Sequence, residues 1–409
     1  MTGERATAGA LNGVRVLEVA GLAAGPFAGR LLAITGAEVV KIEPPGIGDP
    51  ARRRGPFFHD RPGADRSALF LYLNVGKLGV TLDLTRPAGR EIFGRLAESA
   101  DIAIVDVPPG FLGEMGLTYE ALSATNPGLV LVCLSPFGLT GAYRDFRAYD
   151  LNVFHAGGEG YLLPNGLAWE AFPDRPPLKP GGFLAEYLAG VSAAIGARAA
   201  LYARDALGRG QLVDCSKQET QLVLNHVAIQ RYLDGVLETR ANRSFAYGGV
   251  VPCKDGYVEL LTIEARQWEA LVRFMGSPAW AREERFTDAA SRAKHGAEIN
   301  RYLRAWAGEH TREWLFTEGQ AAGVPMVPYR TPHEILKSPQ ETERGFFVEI
   351  DHPETGPLPY PSWPFRFSET PPSVVRHAPR LGEHNDLVYG QRLGYSRQAM
   401  VELSQAGII

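Results

Sequence analysis

Apolar residues first run continuously and then switch period along this chain. Residues 14–19 (VRVLEV), 37–42 (AEVVKI), 79–84 (GVTLDL), 101–105 (DIAIV) and 128–134 (GLVLVCL) read as strands, with helical patterns at 27–35 and 87–99. Strands this uniformly apolar are buried on both faces, and their alternation with helices predicts a parallel sheet covered by helices. A long alanine- and leucine-rich segment then begins at Gly181-Gly182, stops at Gly208-Arg209-Gly210 and leads into a further strand, residues 211–215. Within it Leu184, Leu188, Val191, Ile195, Ala199 and Tyr202 recur at spacings of three and four, which marks one helical face as the expected core face. Glu186 lies about 200° round the helix from Leu184, so this pattern turns its carboxylate away from that stripe, where a solvated first-turn position is the plain expectation.

A second helical pattern covers residues 217–237, and the character of the chain then changes. Residues 247–261 read as a β-hairpin turning at Lys254-Asp255-Gly256, followed by amphipathic helices at 267–275, 297–307 and 311–322. From Pro325 onward proline and glycine dominate, as in Pro357-Leu358-Pro359-Tyr360-Pro361, and predict an extended strap wrapping another domain or subunit. The expected division is therefore a large α/β part (1–225), a small α+β part (226–330) and a strap returning to the large part (331–409). Glycines 21, 25 and 29 recur every four residues and do not form the GxGxxG fingerprint of dinucleotide-binding enzymes, which argues against a nicotinamide dehydrogenase.

Composition narrows the class further. A chain of 409 residues with 45% hydrophobic and 22% charged residues is globular and long enough for two domains. Its net charge of −4 gives no reason to expect nucleic acid. Cys133, Cys215 and Cys253 are scattered and lack metal-ligand spacing, so they read as reduced thiols, and no metal is expected. No apolar run approaches a membrane span, and residues 1–10 lack a signal-peptide core, so the expected location is the cytoplasm, or an organelle reached by other means.

Several blocks carry a resemblance that spans nearly the whole chain: LNGVRVLEVAGLAAGP, GAEVVKIEPPGIGDPAR, NVGKLGVTLDL, SPFGLTGAYRDFRAYDLN, PCKDGYVEL with Gln267-Trp268, and APRLGEHND. Together with GGFLAEYLAG they resemble the family III CoA-transferases (the CaiB/BaiF group, which includes formyl-CoA:oxalate and carnitine CoA-transferases). The resemblance implies a Rossmann-like parallel-sheet large domain plus a small α+β domain, and a ring-like interlocked dimer. It also implies coenzyme A, as an acyl-CoA substrate, and an organic acid as acceptor. In that family a carboxylate attacks the acyl-CoA and passes through an anhydride to an enzyme–CoA thioester. The matching position here is Glu186, where the family has aspartate. The resemblance places CoA contacts at Ala23, Ala24, Arg52, Lys77, Asp106, Val107 and Arg147.

The departures are specific. Ala23 replaces a commonly polar residue, Pro44 an adenine-stacking arginine, and Asp106 and Glu114 stand where an asparagine and an arginine are expected. Two acids facing a polyanion are unfavourable. Two readings follow: an active CoA-transferase using Glu186, or a non-catalytic subunit completing a heteromer beside an aspartate-bearing paralogue. A third, 2-methylacyl-CoA racemase, lacks its histidine, because the family's His-Asp pair is Tyr149-Asp150 here. His155, before a glycine pair, reads as a hydrogen-bonded core residue, and His384 as an anchor of the C-terminal segment.

Overall fold

The computed structural model describes residues 9–164, 172, 174–224, 230 and 247–409. Six strands form one sheet: β1 (Arg15–Val19), β2 (Glu38–Glu43), β3 (Leu78–Thr81), β4 (Ile102–Val105), β5 (Val130–Ser135) and β6 (Leu212–Ser216). Their order is β3-β2-β1-β4-β5-β6 and every neighbouring pair is parallel. The order reverses between β1 and β4, and such a switch opens a crevice beyond the carboxyl ends of those two strands. The topology is Rossmann-like although the glycine fingerprint is missing.

Side-chain parity distributes the strands between two cores. Leu17, Val19, Val40, Ile42, Ala103 and Leu131 pack with α3 (Pro87–Ala97) and α4 (Tyr119–Thr125) on one face. Val16, Val39, Ile102, Ile104 and Val132 pack on the other with α1 (Ala24–Ile34) and a long helix, Leu184–Leu207. On that second face Glu18 and Lys41 also point inward, as register partners on β1 and β2. The glycines spaced by four belong to this packing. A Cβ on Gly25 would stand 2.3 Å from Ala20 Cβ, and one on Gly29 1.9 Å from Glu18 Oε2, so both let α1 lie close on β1.

Helices α2 (Ala68–Asn74) and α5 (Asp150–Ala156) precede the long helix, hereafter α6, and α7 (Lys217–Leu224) follows β6. The rest of the helix expected over 217–237 lies, apart from residue 230, outside the described residues. Helix α6 ends at Gly208, whose φ of 67° is left-handed. Its buried face differs from the expected one. Ala185, Glu186, Ala189, Gly190, Ala193, Ala194, Ala197 and Ala200 are buried, while Val191, Ile195 and Tyr202 are exposed, the last two at 64% and 84%. The reason is the distance of approach. A Cβ at Gly190 would sit 2.7 Å from the Ala24 carbonyl, so α6 packs on α1 through its small residues. Helix α6 is also long and apolar enough to cross a membrane, contrary to expectation, but its alanine face is part of this core. Gly190→Val is expected to force the two helices apart at a cost of about 1–3 kcal/mol, read as a lower urea midpoint.

Chain contacts group the described residues within 1–161, 178–235 and 345–409 into one compact unit and those within 162–177 and 236–344 into another. Residues 331–344, assigned by composition to the strap, thus fall in the smaller unit. That unit has a three-stranded antiparallel sheet, β7 (Gly249–Cys253), β8 (Gly256–Leu260) and β9 (Met326–Pro328), around a core that includes Trp268, Leu271, Phe286, Ile299, Leu303 and Leu315. In the larger unit the C-terminal segment forms the hairpin β10 (Phe347–His352) and β11 (Gly356–Pro361), whose Ile350 and Tyr360 pack on Phe70, Leu71 and Val75. Further on, the segment closes the free edge of β3. His384 Nδ1 accepts from Gly79 N, Asn385 Oδ1 accepts from Thr81 N, and the Tyr389 hydroxyl donates to Thr81 O.

Candidate active site

A cavity of about 600 Å³ occupies the crevice at the carboxyl ends of the strands. Its walls come from the segments after β1 (Ala20, Gly21, Leu22), β2 (Pro44–Pro50), β3 (Leu82–Thr85) and β4 (Asp106–Pro108), with Met115 and Tyr149 alongside. Glu186 and Lys217 also line it. The Gly21–Ala23 turn is held from below. Leu22 adopts a left-handed φ of 63°, costly for a branched side chain, and its N–H donates to Asp49 Oδ1 at 2.9 Å. Lys41 ties Asp49 to Glu18 at 2.8 and 3.0 Å, entirely out of solvent.

Glu186 sits in the first turn of α6, 4% exposed. No side chain of its own segment caps that helix. The Glu186 N–H instead donates to Asp150 Oδ1 at 3.1 Å, across from the first residue of α5, while Lys179 pairs with Asp150 Oδ2 at 2.8 Å. The Glu186 carboxylate accepts the Ala24 N–H, at the start of α1, at 3.2 Å on Oε2. Lys217 Nζ lies 3.0 Å from Oε1 and 2.9 Å from Oε2, and 3.0 Å from Asp106 Oδ2. Burial is the main influence on the Glu186 carboxyl and pushes its pKa up; Lys217 pulls it back and Asp106 adds to the rise. The result is a carboxyl in a nearly dry place that faces one ammonium and one helix N-terminus, both of which favour its anion against the effect of burial.

The residues tied to CoA by resemblance separate into two groups. Asp106 and Val107 line the crevice and Ala24 reaches it through its N–H to Glu186, whereas Ala23, fully buried, is not part of the cavity wall. Lys77 and Arg52 do not face it. Lys77 is fully buried against Glu18 at 2.7 Å, Asn74 and the Pro26 carbonyl, and burial lowers its pKa to about 8. Arg52 forks onto Glu43 at 2.7 and 2.8 Å and also reaches Asp65 and the Pro379 carbonyl. Both cations have their donors satisfied inside the protein, so neither is free for a phosphate. Arg147 is exposed and outside the cavity wall, to which Arg53 contributes an arginine instead. The described residues contain no cluster of His, Cys, Asp and Glu able to hold a metal.

Sequence reasoning missed Lys217 and Lys179, and named Asp150 only as the match to the racemases' aspartate. Lys217 carried a readable signal, because a lysine at the first position of a helix opposes the helix dipole and calls for an anion nearby.

A buried carboxylate at the switch point of a parallel α/β sheet, faced by the Ala24 N–H and a lysine, is the arrangement of an α/β enzyme site open to carboxylate chemistry. The chain belongs to CoA-transferase family III, which it matches over residues 11–385. It is 34% identical over 404 residues, covering 98% of both chains, to succinyl-CoA–D-citramalate CoA-transferase of Chloroflexus aurantiacus. It is 32% identical to the BbsE subunit of succinyl-CoA:(R)-benzylsuccinate CoA-transferase of Thauera aromatica, covering 90% of this chain and 91% of that one. Among solved structures it resembles a CaiB/BaiF family protein of Brucella suis, with a TM-score of 0.83, 30% identity, and coverage of 94% and 99%.

Proposed function

We propose that this chain moves coenzyme A between an acyl-CoA thioester and a free organic acid, with Glu186 as the nucleophile in place of the family's aspartate. The observation that carries the reading is the carboxylate itself: buried, held at both oxygens and open to the cavity. Glu186 attacks the acyl carbonyl, the C–S bond breaks, and an anhydride and CoA thiolate result. The thiolate then attacks Glu186 Cδ, releases the donor acid and leaves the enzyme–CoA thioester. The acceptor carboxylate repeats the two steps in reverse, restoring Glu186 and giving the new acyl-CoA. When Cδ is attacked, negative charge gathers on an oxygen already within reach of the Ala24 N–H and Lys217.

Succinyl-CoA is the first donor to try, since both relatives above are named for it. Incubation with succinyl-CoA, and with formyl-CoA and acetyl-CoA in parallel, is expected to add a CoA-sized mass to the peptide spanning Glu186, removable by hydroxylamine. No adduct with any donor overturns the assignment.

The second reading, a non-catalytic subunit, is favoured by one comparison, the relative that is itself named as a subunit. It places the adduct on a partner chain only. Either reading supplies a partner for the exposed Val191, Ile195 and Tyr202 of α6: a second copy in a homodimer, or a paralogous chain.

A further inference from the structure

The cavity floor holds two carboxylates and one ammonium, and the chemistry proposed above removes the charge of one carboxylate. Lys217 is 7% exposed and stands 3.0 Å from Asp106 Oδ2 as well as on both Glu186 oxygens. Free Glu186, Asp106 and Lys217 sum to one negative charge. Once Glu186 is an anhydride or a thioester, its acyl group is neutral. A buried ammonium without an anion beside it gives up its proton, since burial disfavours the charged form by up to several pKa units. A neutral amine with no anion beside it is a poor donor to the oxygen on which charge gathers.

We propose that Asp106 is a standing counter-ion that keeps Lys217 charged while Glu186 is acylated, so that Lys217 remains a donor to the Glu186 acyl oxygen throughout the cycle. The role rests on the reading of Glu186 as nucleophile. In the thioester-forming step the CoA sulfur bonds to Cδ and the carbonyl electrons move onto Oε. Collapse of that intermediate restores the carbonyl and expels the donor carboxylate. No proton changes hands, so the step needs a fixed cation and not an acid. Lys217 touches the reacting carboxylate; Asp106 acts through it and is a positioning residue.

The surroundings agree. The groups facing Lys217 are Glu186 from α6, Asp106 from the segment after β4 and Cys215 from β6. Burial pushes the Cys215 thiol up to about 11, so it is neutral at working pH and offers no charge. Burial works to lower the Lys217 pKa, but Asp106 and then Glu186 outweigh it and raise it. The same Asp106 that would repel a polyanionic ligand if bare is thus neutralised by Lys217.

The test uses Glu186→Gln as a fixed neutral stand-in for the acylated state. Thermal stability is followed from pH 6.5 to 9.5 in Glu186→Gln, in Glu186→Gln/Asp106→Asn and in Glu186→Gln/Asp106→Glu. With Asp106 present the folded Lys217 pKa stays above its unfolded value of about 10.4, so its own contribution is constant below that pH, and the Glu186→Gln profile, which also carries groups such as Lys77 and Cys215, is the reference for the other two. Without Asp106 the folded pKa falls below the unfolded one. The unfolded chain then binds the extra proton, and stability rises with pH across the window between the two values. The folding constant of the double variant relative to Glu186→Gln is expected to climb by up to about tenfold per pH unit there, and Asp106→Glu to flatten it again. Parallel profiles in all three overturn the role.

If the double variant does not fold, Asp106→Asn alone is assayed for the rate of adduct formation on Glu186. That rate is expected to fall as pH rises towards 9.5, whereas the unaltered protein stays level; an unchanged pH shape overturns the proposal. An adduct on Glu186 with unchanged pH profiles removes the counter-ion role alone. No adduct with any donor removes the nucleophile and this role with it.

Discussion

Glu186→Ala is expected to lower CoA transfer by at least about 10³-fold and to abolish the adduct, because a nucleophile that forms the covalent intermediate has no substitute. Glu186→Asp is the sharper experiment. Shortening the side chain by one methylene withdraws the carboxylate from Ala24 N and Lys217 by roughly an ångström, and a displacement of that size costs on the order of 10²-fold. The family's own residue is therefore expected to be the poorer one here, because the lysine and the α1 N-terminus are set for the longer reach. Stopped-flow measurement of acyl-CoA loss in both variants checks this. Turnover unchanged in Glu186→Ala, with an adduct on a partner chain, establishes the non-catalytic subunit instead.

Lys41→Met is expected to destabilise the larger unit by about 3–5 kcal/mol, read from urea denaturation. Lys41 is fully buried between Glu18 at 3.0 Å and Asp49 at 2.8 Å, and also donates to the Ala20 carbonyl. Burial alone would lower its pKa, but Asp49 and Glu18 outweigh it and raise it, so the site holds the charged form. Lys77 still serves Glu18 in the variant, whereas Asp49 loses the ammonium that contacts it. Burial then dominates and lifts the Asp49 pKa above its unfolded value. The folded variant binds the extra proton, so its deficit should shrink as pH falls from 7 towards 4.5. A deficit independent of pH would mean that lost packing, and not the stranded carboxylate, causes the effect.

The parallel sheet was legible because each strand is an apolar run too short for a helix, and the reading of 101–105 and 128–134 falls on β4 and β5 within a few residues. Glu186 was legible as a candidate only through its neighbours' resemblance, since a glutamate in a helix's first turn is by itself unremarkable. The face of α6 was read wrongly for a physical reason. Large apolar residues at helical spacing mark a buried stripe when helices pack at ordinary distance. Here Ala189, Gly190, Ala193 and Ala197 permit a closer approach, and the large residues face outward from the single chain. Lys77 and Arg52 look like phosphate ligands in one dimension because their carboxylates, Glu18 and Glu43, come from strands 59 and 9 positions away. Charged residues within strands buried on both faces do announce a need for internal partners, and that cue was present at Glu18 and Lys41 and, at the end of β2, at Glu43.

The closing of the β3 edge by residues 384–389 has a consequence for how the protein is made. A chain leaving the ribosome can complete the smaller unit once residue 344 has emerged, whereas the larger one waits for residues 384–389. At translation rates of about 5–20 residues per second that interval lasts several seconds. During it Gly79 and Thr81 offer bare backbone donors beside a hydrophobic sheet. The nascent protein thus carries an open template for wrong strand pairing until residues 384–389 have emerged, and a pause in translation before that point is expected to favour aggregation.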